Sequence, residues 1–423
     1  MKQSSITKSN ILGTALLTAA MSLPALDFAS AESAPERGMV SFKYLNYSES
    51  QTVPGTGGTS SSTSTTTRRA ADDLRYDLIS GASTATTTSG GGATGTPGSS
   101  ADRIKVNAYT VSTLVPVAGK WSVGLNYTYD SVTGASPQYH TSALTNMHDR
   151  RNAGDLAVTR YFSQGTVTVG GSYSSETDYI SRGYSVLGSL SSADKNTTWS
   201  LGASLTDDTI MPQIPGATDK SKKAVAGLVG VTRVLTKNDI AQFNLGYSHG
   251  TGYFSDPYKY ADNRPGTRNM TTLMTRWNHH FEGSDGTARL SYRFYSDSFG
   301  IRAHTLDAEY VQPISNGWTV MPLLRLYSQN EADFYIATNS PAETAPTPVP
   351  AGQVFSSEDE RMSAFGALTL GIKVAKKLTD DISFDIKYEN YLQRSDWALS
   401  GKKDSGLAEF NAHSIQVGVT CLF

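Results

Sequence analysis

The chain has 423 residues, 38 % hydrophobic and only 17 % charged, with a formal net charge of −2. That balance leaves no basis for a nucleic-acid partner, and 22 Tyr, 14 Phe and 5 Trp exclude a disordered composition. Cys421 is the single cysteine, so no internal disulfide forms, and no run after residue 31 is apolar for long enough to make a transmembrane helix.

Lys2 and Lys8 open a positive start, ILGTALLTAAMSLPAL follows, and Ala29 and Ala31 take the small-residue positions before a cut. This pattern predicts a secretory signal over 1–31 and a mature chain over 32–423. No cysteine follows the cut, so no lipid anchor is implied.

The mature region runs in period two. WSVGLNYTY sets Trp121, Val123, Leu125, Tyr127 and Tyr129 on one face; WSLGASL and QFNLGYS repeat the pattern with Trp199, Leu201, Leu205, Phe243, Leu245 and Tyr247. Such alternation is that of strands. The opposite faces hold Gly, Ser, Thr and Asn, with less charge than the wet side of a soluble sheet. Sixteen strands are predicted, at 38–48, 103–115, 120–132, 153–163, 166–176, 183–192, 197–207, 224–235, 240–250, 269–281, 286–296, 300–312, 317–330, 361–376, 381–392 and 409–423. Pro322, lacking a ladder donor, predicts a bulge.

The separators alternate between long and short. The short set includes VAGK, SQG, SADKN, TKND, EGSDG, ISNG and LTDD, rich in Gly, Asn and Asp. The other set includes 133–152, 208–223, 251–268, 331–360 and 393–408, with 177–182 and 297–299 brief. First in that set is a Ser/Thr/Gly-rich insertion over 53–101, read as a tolerated surface loop. Short turns at one end and long loops at the other predict an all-β fold, a transmembrane antiparallel β-barrel with periplasmic turns and extracellular loops. A soluble sandwich or propeller is the rival, with shorter runs and a more charged solvent face. An even strand count puts both ends on the short-turn side, so 409–423 closes against 38–48. A terminal aromatic, Phe423, is then expected to be the signal read by barrel-assembly machinery, with outer-membrane lipid around the strands.

Parity assigns the inward face. Lys43, Arg276, Arg289, Arg293, Asp307, Glu309, Arg325, Lys373, Asp385, Lys387 and Glu389 are predicted to line the lumen, most of them in the C-terminal half. A barrel of sixteen strands is wide enough for water. Charges of both signs then act as a selecting wall, or are paired and merely keep the lumen wet.

No cofactor motif is present: no GxGxxG, P-loop, CxxC or HExxH. His148, Asp149 and Asp155 stand near a loop base, where they form a cation candidate. Asn411, His413 and Ser414 are the weak enzyme signal, and Ser414 falls on the opposite face from the other two.

Three segments carry a resemblance: ERGMVSFKYLNYSESQ (36–51), RIKVNAYTVSTLVPVAGKWSVGLNYTYDSVTGASP (103–137) and YRFYSDSFGIRAHTLDAEYVQPISNGWTVMPLLRLYSQNEADFY (292–335). The chain resembles the bacterial family known as domain of unknown function 3570. That resemblance implies an outer-membrane-type barrel with a signal peptide and no established activity; SVTGASP and SQNEADFY are where a shared binding function would lie. The expected function is a channel for small hydrophilic solutes. The alternative is a plugged barrel, closed by 133–152 or 331–360, serving as scaffold, receptor or assembly partner for another protein. An outer-membrane enzyme is the minor alternative.

Overall fold

The computed structural model describes residues 33–53, 99–137, 144–213, 216–258, 262–337 and 348–423. The expected signal at 1–31 lies outside them, as does most of the expected insertion; Val53 still ends one strand and Ser99–Ala101 begin the next.

Sixteen strands form, in chain order: β1 (Met39–Val53), β2 (Ser99–Val117), β3 (Trp121–Pro137), β4 (Leu144–Phe162), β5 (Gly165–Ser175), β6 (Tyr179–Ser191), β7 (Thr197–Ile210) and β8 (Lys220–Val234), then β9 (Asp239–Gly252), β10 (Thr267–Phe281), β11 (Gly286–Asp297), β12 (Arg302–Ile314), β13 (Trp318–Gln329), β14 (Phe365–Lys377), β15 (Ile382–Arg394) and β16 (Phe410–Leu422). Each pairs antiparallel with its neighbours in sequence, and β16 returns to β1 from Met39↔Leu422 to Gln51↔Phe410, so the sheet is a closed barrel. Closure satisfies the amides that an open edge would leave bare in hydrocarbon.

Two expectations are corrected. Within the span 133–152, the described residues are strand and not loop: β3 continues to Pro137 and β4 starts at Leu144, with Gly134↔Met147 and Val132↔Asp149 paired. Polar alternation through NMHDRRNAGD hides this strand from a reading based on apolar periodicity. Pro322 makes no bulge. Glu309↔Leu323 and Gln312↔Val320 keep one register on either side, and the ladder merely skips the positions between, where Pro322 has no N–H to give. A register shift falls instead between Ser48 and Ser50.

The short turns form tight hairpins. Asn316 and Gly317 both take positive φ, 61° and 74°, as does the pair Ala118 and Gly119 at 51° and 64°. Two successive positive φ values match the twist of the flanking strands, which is why Asn-Gly recurs in two-residue hairpins.

One face of the sheet leaves large apolar side chains uncovered, among them Leu201 (67 % exposed), Leu205, Leu245, Leu306, Leu370, Ile372, Ile386 and Ile415. Trp121, Trp199, Trp277 and Trp318 all stand near the short-turn end, exposed on that outer surface. Arg160 lies 4.9 Å from the Trp121 ring and Lys376 5.1 Å from the Trp318 ring. Aromatics with adjacent cations are what a membrane–water interface selects. Closure, apolar exterior and aromatic rim make this an outer-membrane β-barrel.

Candidate functional site

The eleven charged residues singled out by parity share the sheet face opposite the apolar belt. Register brings Arg289 opposite Glu309, and Asp307 opposite both Ser291 and Arg325. Arg289 Nη1 donates to Glu309 Oε1 at 3.1 Å, and Arg325 Nε to Asp307 Oδ1 at 2.5 Å. Lys373 Nζ lies 3.5 Å from Asp385 Oδ1, and Lys387 Nζ 2.9 Å from Glu389 Oε1. Among the described residues Arg293 hydrogen-bonds a hydroxyl, Thr305 Oγ1 at 3.4 Å, and is in no ion pair. Lys43 stands opposite Gly418 and Thr110, and Arg276 opposite Gln242 and Ser291; neither is in an ion pair among the described residues. Four of the seven cations thus pair with the four carboxylates, and among these eleven residues three cations are left over.

A second charged cluster lies at the long-loop end of the barrel. Arg264, in the β9–β10 loop, sits 2.8 Å from Asp262 and 2.7 Å from Asp359 of the β13–β14 loop. Arg361 reaches back to Asp256 at 2.6 Å and also pairs with Asp359. Asp359, Asp256 and Arg264 are buried. Burial alone disfavours a charged Arg361; the carboxylates of Asp359, Asp256 and Asp262 outweigh it and hold the guanidinium protonated beyond its ordinary range. Two bridges pair Asn263 with Ser356 and Tyr335 with Ser357.

Beneath the ions lies an apolar centre. Phe299, Ile301, Ala332, Phe334 and Met362 pack together, with Phe254, Tyr295 and Tyr335 against them. Arg268, from the first residues of β10, donates to Asp297 at 2.8 Å and lies 4.5 Å from the Phe299 ring. Gly300, at φ +87°, makes the turn that puts Phe299 and Ile301 into this centre, and a Cβ there would strike Asp333.

These loops reach far around the ring. The β9–β10 loop accepts a backbone bond from Gln213 N to Pro257 O at 2.9 Å, and Tyr258 hydrogen-bonds Asp178 in the β5–β6 turn. On its other side it holds Asp359 and Arg361. In strand order the β9–β10 loop lies a quarter of the ring from both the β5–β6 turn and the β13–β14 loop, so these contacts link the three around half of the ring. Tyr335 OH donates to Asp404 Oδ2 at 2.6 Å, which ties in the β15–β16 loop.

The structure separates Ser414 from His413, as their opposite parity expects. His413 Nε2 lies 2.9 Å from Ser48 Oγ on β1, not from Ser414, which pairs across to Glu389. Among the described residues no third group hydrogen-bonds this imidazole, so a triad is not assembled. The cation candidate also splits. Asp149 and Asp155 are both on β4, six residues or about 20 Å apart, and Asp155 registers with Asn126 and Ser172.

Sequence reasoning missed Arg264, Asp359 and Arg361. They lie in polar loops without periodicity, and no local signal joins residues about a hundred positions apart. FSSEDERM is the one hint, an acidic and basic run beside buried-type residues.

No curated protein sequence matches the chain. Among solved structures, a siderophore receptor, PirA, from Pseudomonas aeruginosa is similar over 91 % of this chain at 9 % identity and a TM-score of 0.42, and this chain spans 63 % of its length. A bacterial polysaccharide outer membrane secretin aligns over 90 % of this chain and 98 % of its own, at 8 % identity and a TM-score of 0.44. OpdQ from Pseudomonas aeruginosa aligns over 91 % and 98 %, at 8 % identity and a TM-score of 0.40. A family model described as a protein of unknown function, DUF3570, matches residues 13–414, and the chain belongs to that family.

Proposed function

We propose that the protein is a capped barrel that works at the cell surface as a receptor, scaffold or assembly partner, with the long loops outside the cell. The observation that supports this is the ion cluster of Arg264, Arg361, Asp256, Asp262 and Asp359, which ties the β9–β10 loop to the β13–β14 loop, a quarter of the ring away, over an apolar centre. Loops that merely flank an open pore have no need of five charges taken out of water. Removing charges from water is costly unless geometry repays it, and such clusters fix a conformation. The cap presents loops held rigid at the surface, as a docking face requires.

The second reading, a channel for small hydrophilic solutes, draws support from the wall of Lys43, Arg276, Arg289, Arg293, Asp307, Glu309, Arg325, Lys373, Asp385, Lys387 and Glu389. Their shared face, opposite the lipid-side residues, is the lumen lining in this reading. Its positive surplus favours small anions. Both readings hold for a non-catalytic barrel, and the ion cluster at the long-loop end supports the first.

Liposome swelling tests the choice. Vesicles carrying the wild-type barrel are expected to swell in small sugars no faster than empty vesicles. Swelling that falls with solute size would favour the channel.

A further inference from the structure

Asp149 on β4 and Glu176 and Asp178 in the β5–β6 turn bring one carboxylate oxygen each within 4.8 Å of one another. Three like charges do not gather without a reason, yet a cluster alone is weak ground. The partners decide the matter. Asp149 and Asp178 are each 1 % exposed. Asp149 Oδ1 accepts from Arg150 N at 2.8 Å and Thr177 N at 3.4 Å, while its Oδ2 has no hydrogen-bond partner. Asp178 takes a bond from Tyr258, while its Oδ1 has none. Ser174 Oγ, two residues before Glu176, is also buried and unpartnered.

Neighbouring cations are engaged elsewhere. Arg151, next along β4 on the same face, pairs with Asp130 at 2.7 Å. Lys222 pairs with Asp208 at 3.2 Å and gives a hydrogen bond to Tyr179 OH. Among the described residues neither Asp149 nor Asp178 is in an ion pair with a cation.

We propose that Asp149, Glu176 and Asp178 bind a divalent cation of the calcium class. The donor set is all carboxylate oxygen, which suits a hard ion and not zinc or copper. Oxygens bound about 2.4 Å from calcium lie at most about 4.8 Å apart, matching the cluster; the tighter shell of magnesium needs closer oxygens. The ion joins β4 to the β5–β6 turn. Through Tyr258 on Asp178 it also anchors the near edge of the cap. The site stands whether the barrel is open or closed.

Titration calorimetry of calcium chloride into the full-length, chelator-treated barrel in detergent tests this. One calcium per chain is expected, with a Kd of about 10⁻⁵–10⁻³ M. Asp149→Asn and Asp178→Asn are each expected to weaken it more than tenfold, whereas Asp380→Asn, at an exposed short turn, leaves it unchanged. No calcium binding by the wild type at concentrations of about 10 mM, or undiminished binding in both variants, would overturn the proposal. If the variants fail to fold, anomalous diffraction from wild-type crystals grown with calcium locates the ion. Density between the three carboxylates supports the site, and an ion bound only elsewhere refutes it.

Discussion

Arg361 Nη2 lies 2.6 Å from an Asp256 carboxylate oxygen, across 105 residues of chain. With Asp359 between the two arginines, this contact joins the β9–β10 and β13–β14 loops into one cap. Asp359 is the shared partner of Arg264 and Arg361. Asp359→Asn leaves two buried guanidiniums short of charge, a loss of about 3–5 kcal/mol for such sites. Limited proteolysis is expected to cut the variant within 253–266 and 330–364 while the barrel keeps its folded gel mobility. Equal resistance in variant and wild type would mean that the ions do not hold the cap.

The charged wall has its own consequence. Changing Arg289, Arg293 and Arg325 together to Gln strips the partners from Glu309 and Asp307 and removes the cation that hydrogen-bonds Thr305. In a barrel whose cap has been opened, the reversal potential in a salt gradient is expected to move several-fold toward cations. An unchanged reversal potential would place these charges away from any conducting path.

At the seam, Gly38 N donates to Phe423 O at 2.8 Å and Phe423 N to Gly38 O at 2.9 Å. The Phe423 ring also lies where a Gly38 side chain would go, only 2.5 Å from an added Cβ. Phe423→Ala and Gly38→Val are both expected to reduce the folded, heat-modifiable fraction in membranes several-fold, with Phe423→Leu intermediate. Wild-type yields for Phe423→Ala would remove Phe423 from the assembly step.

The barrel was legible in the sequence because period-two alternation and alternating separator length are local signals that hydrocarbon imposes on every strand. Leu290, Leu306 and Ile386 could be placed by counting. The cross-strand pairing followed too, since parity and adjacency put Arg289 beside Glu309. The β3–β4 hairpin was cut short because the membrane demands apolar residues only where lipid touches; past that band Asp149 and Arg150 pair without an apolar mark. The cap was illegible for a different reason. Arg264 and Asp359 lie in different loops, 95 residues apart in the chain, and no periodicity encodes a contact between two loops. Asp149 was noticed beside His148 and Asp155, but its companions Glu176 and Asp178 come from a turn opposite it only after two strands have folded.

Single-channel recording in planar bilayers bears most directly on the cap. The wild-type barrel is expected to insert without sustained conductance steps, and Arg264→Ala with Arg361→Ala to give long-lived discrete steps from the same quantity of folded protein. Stable steps of equal size from both proteins would contradict a cap held by these arginines and leave the open channel as the better description.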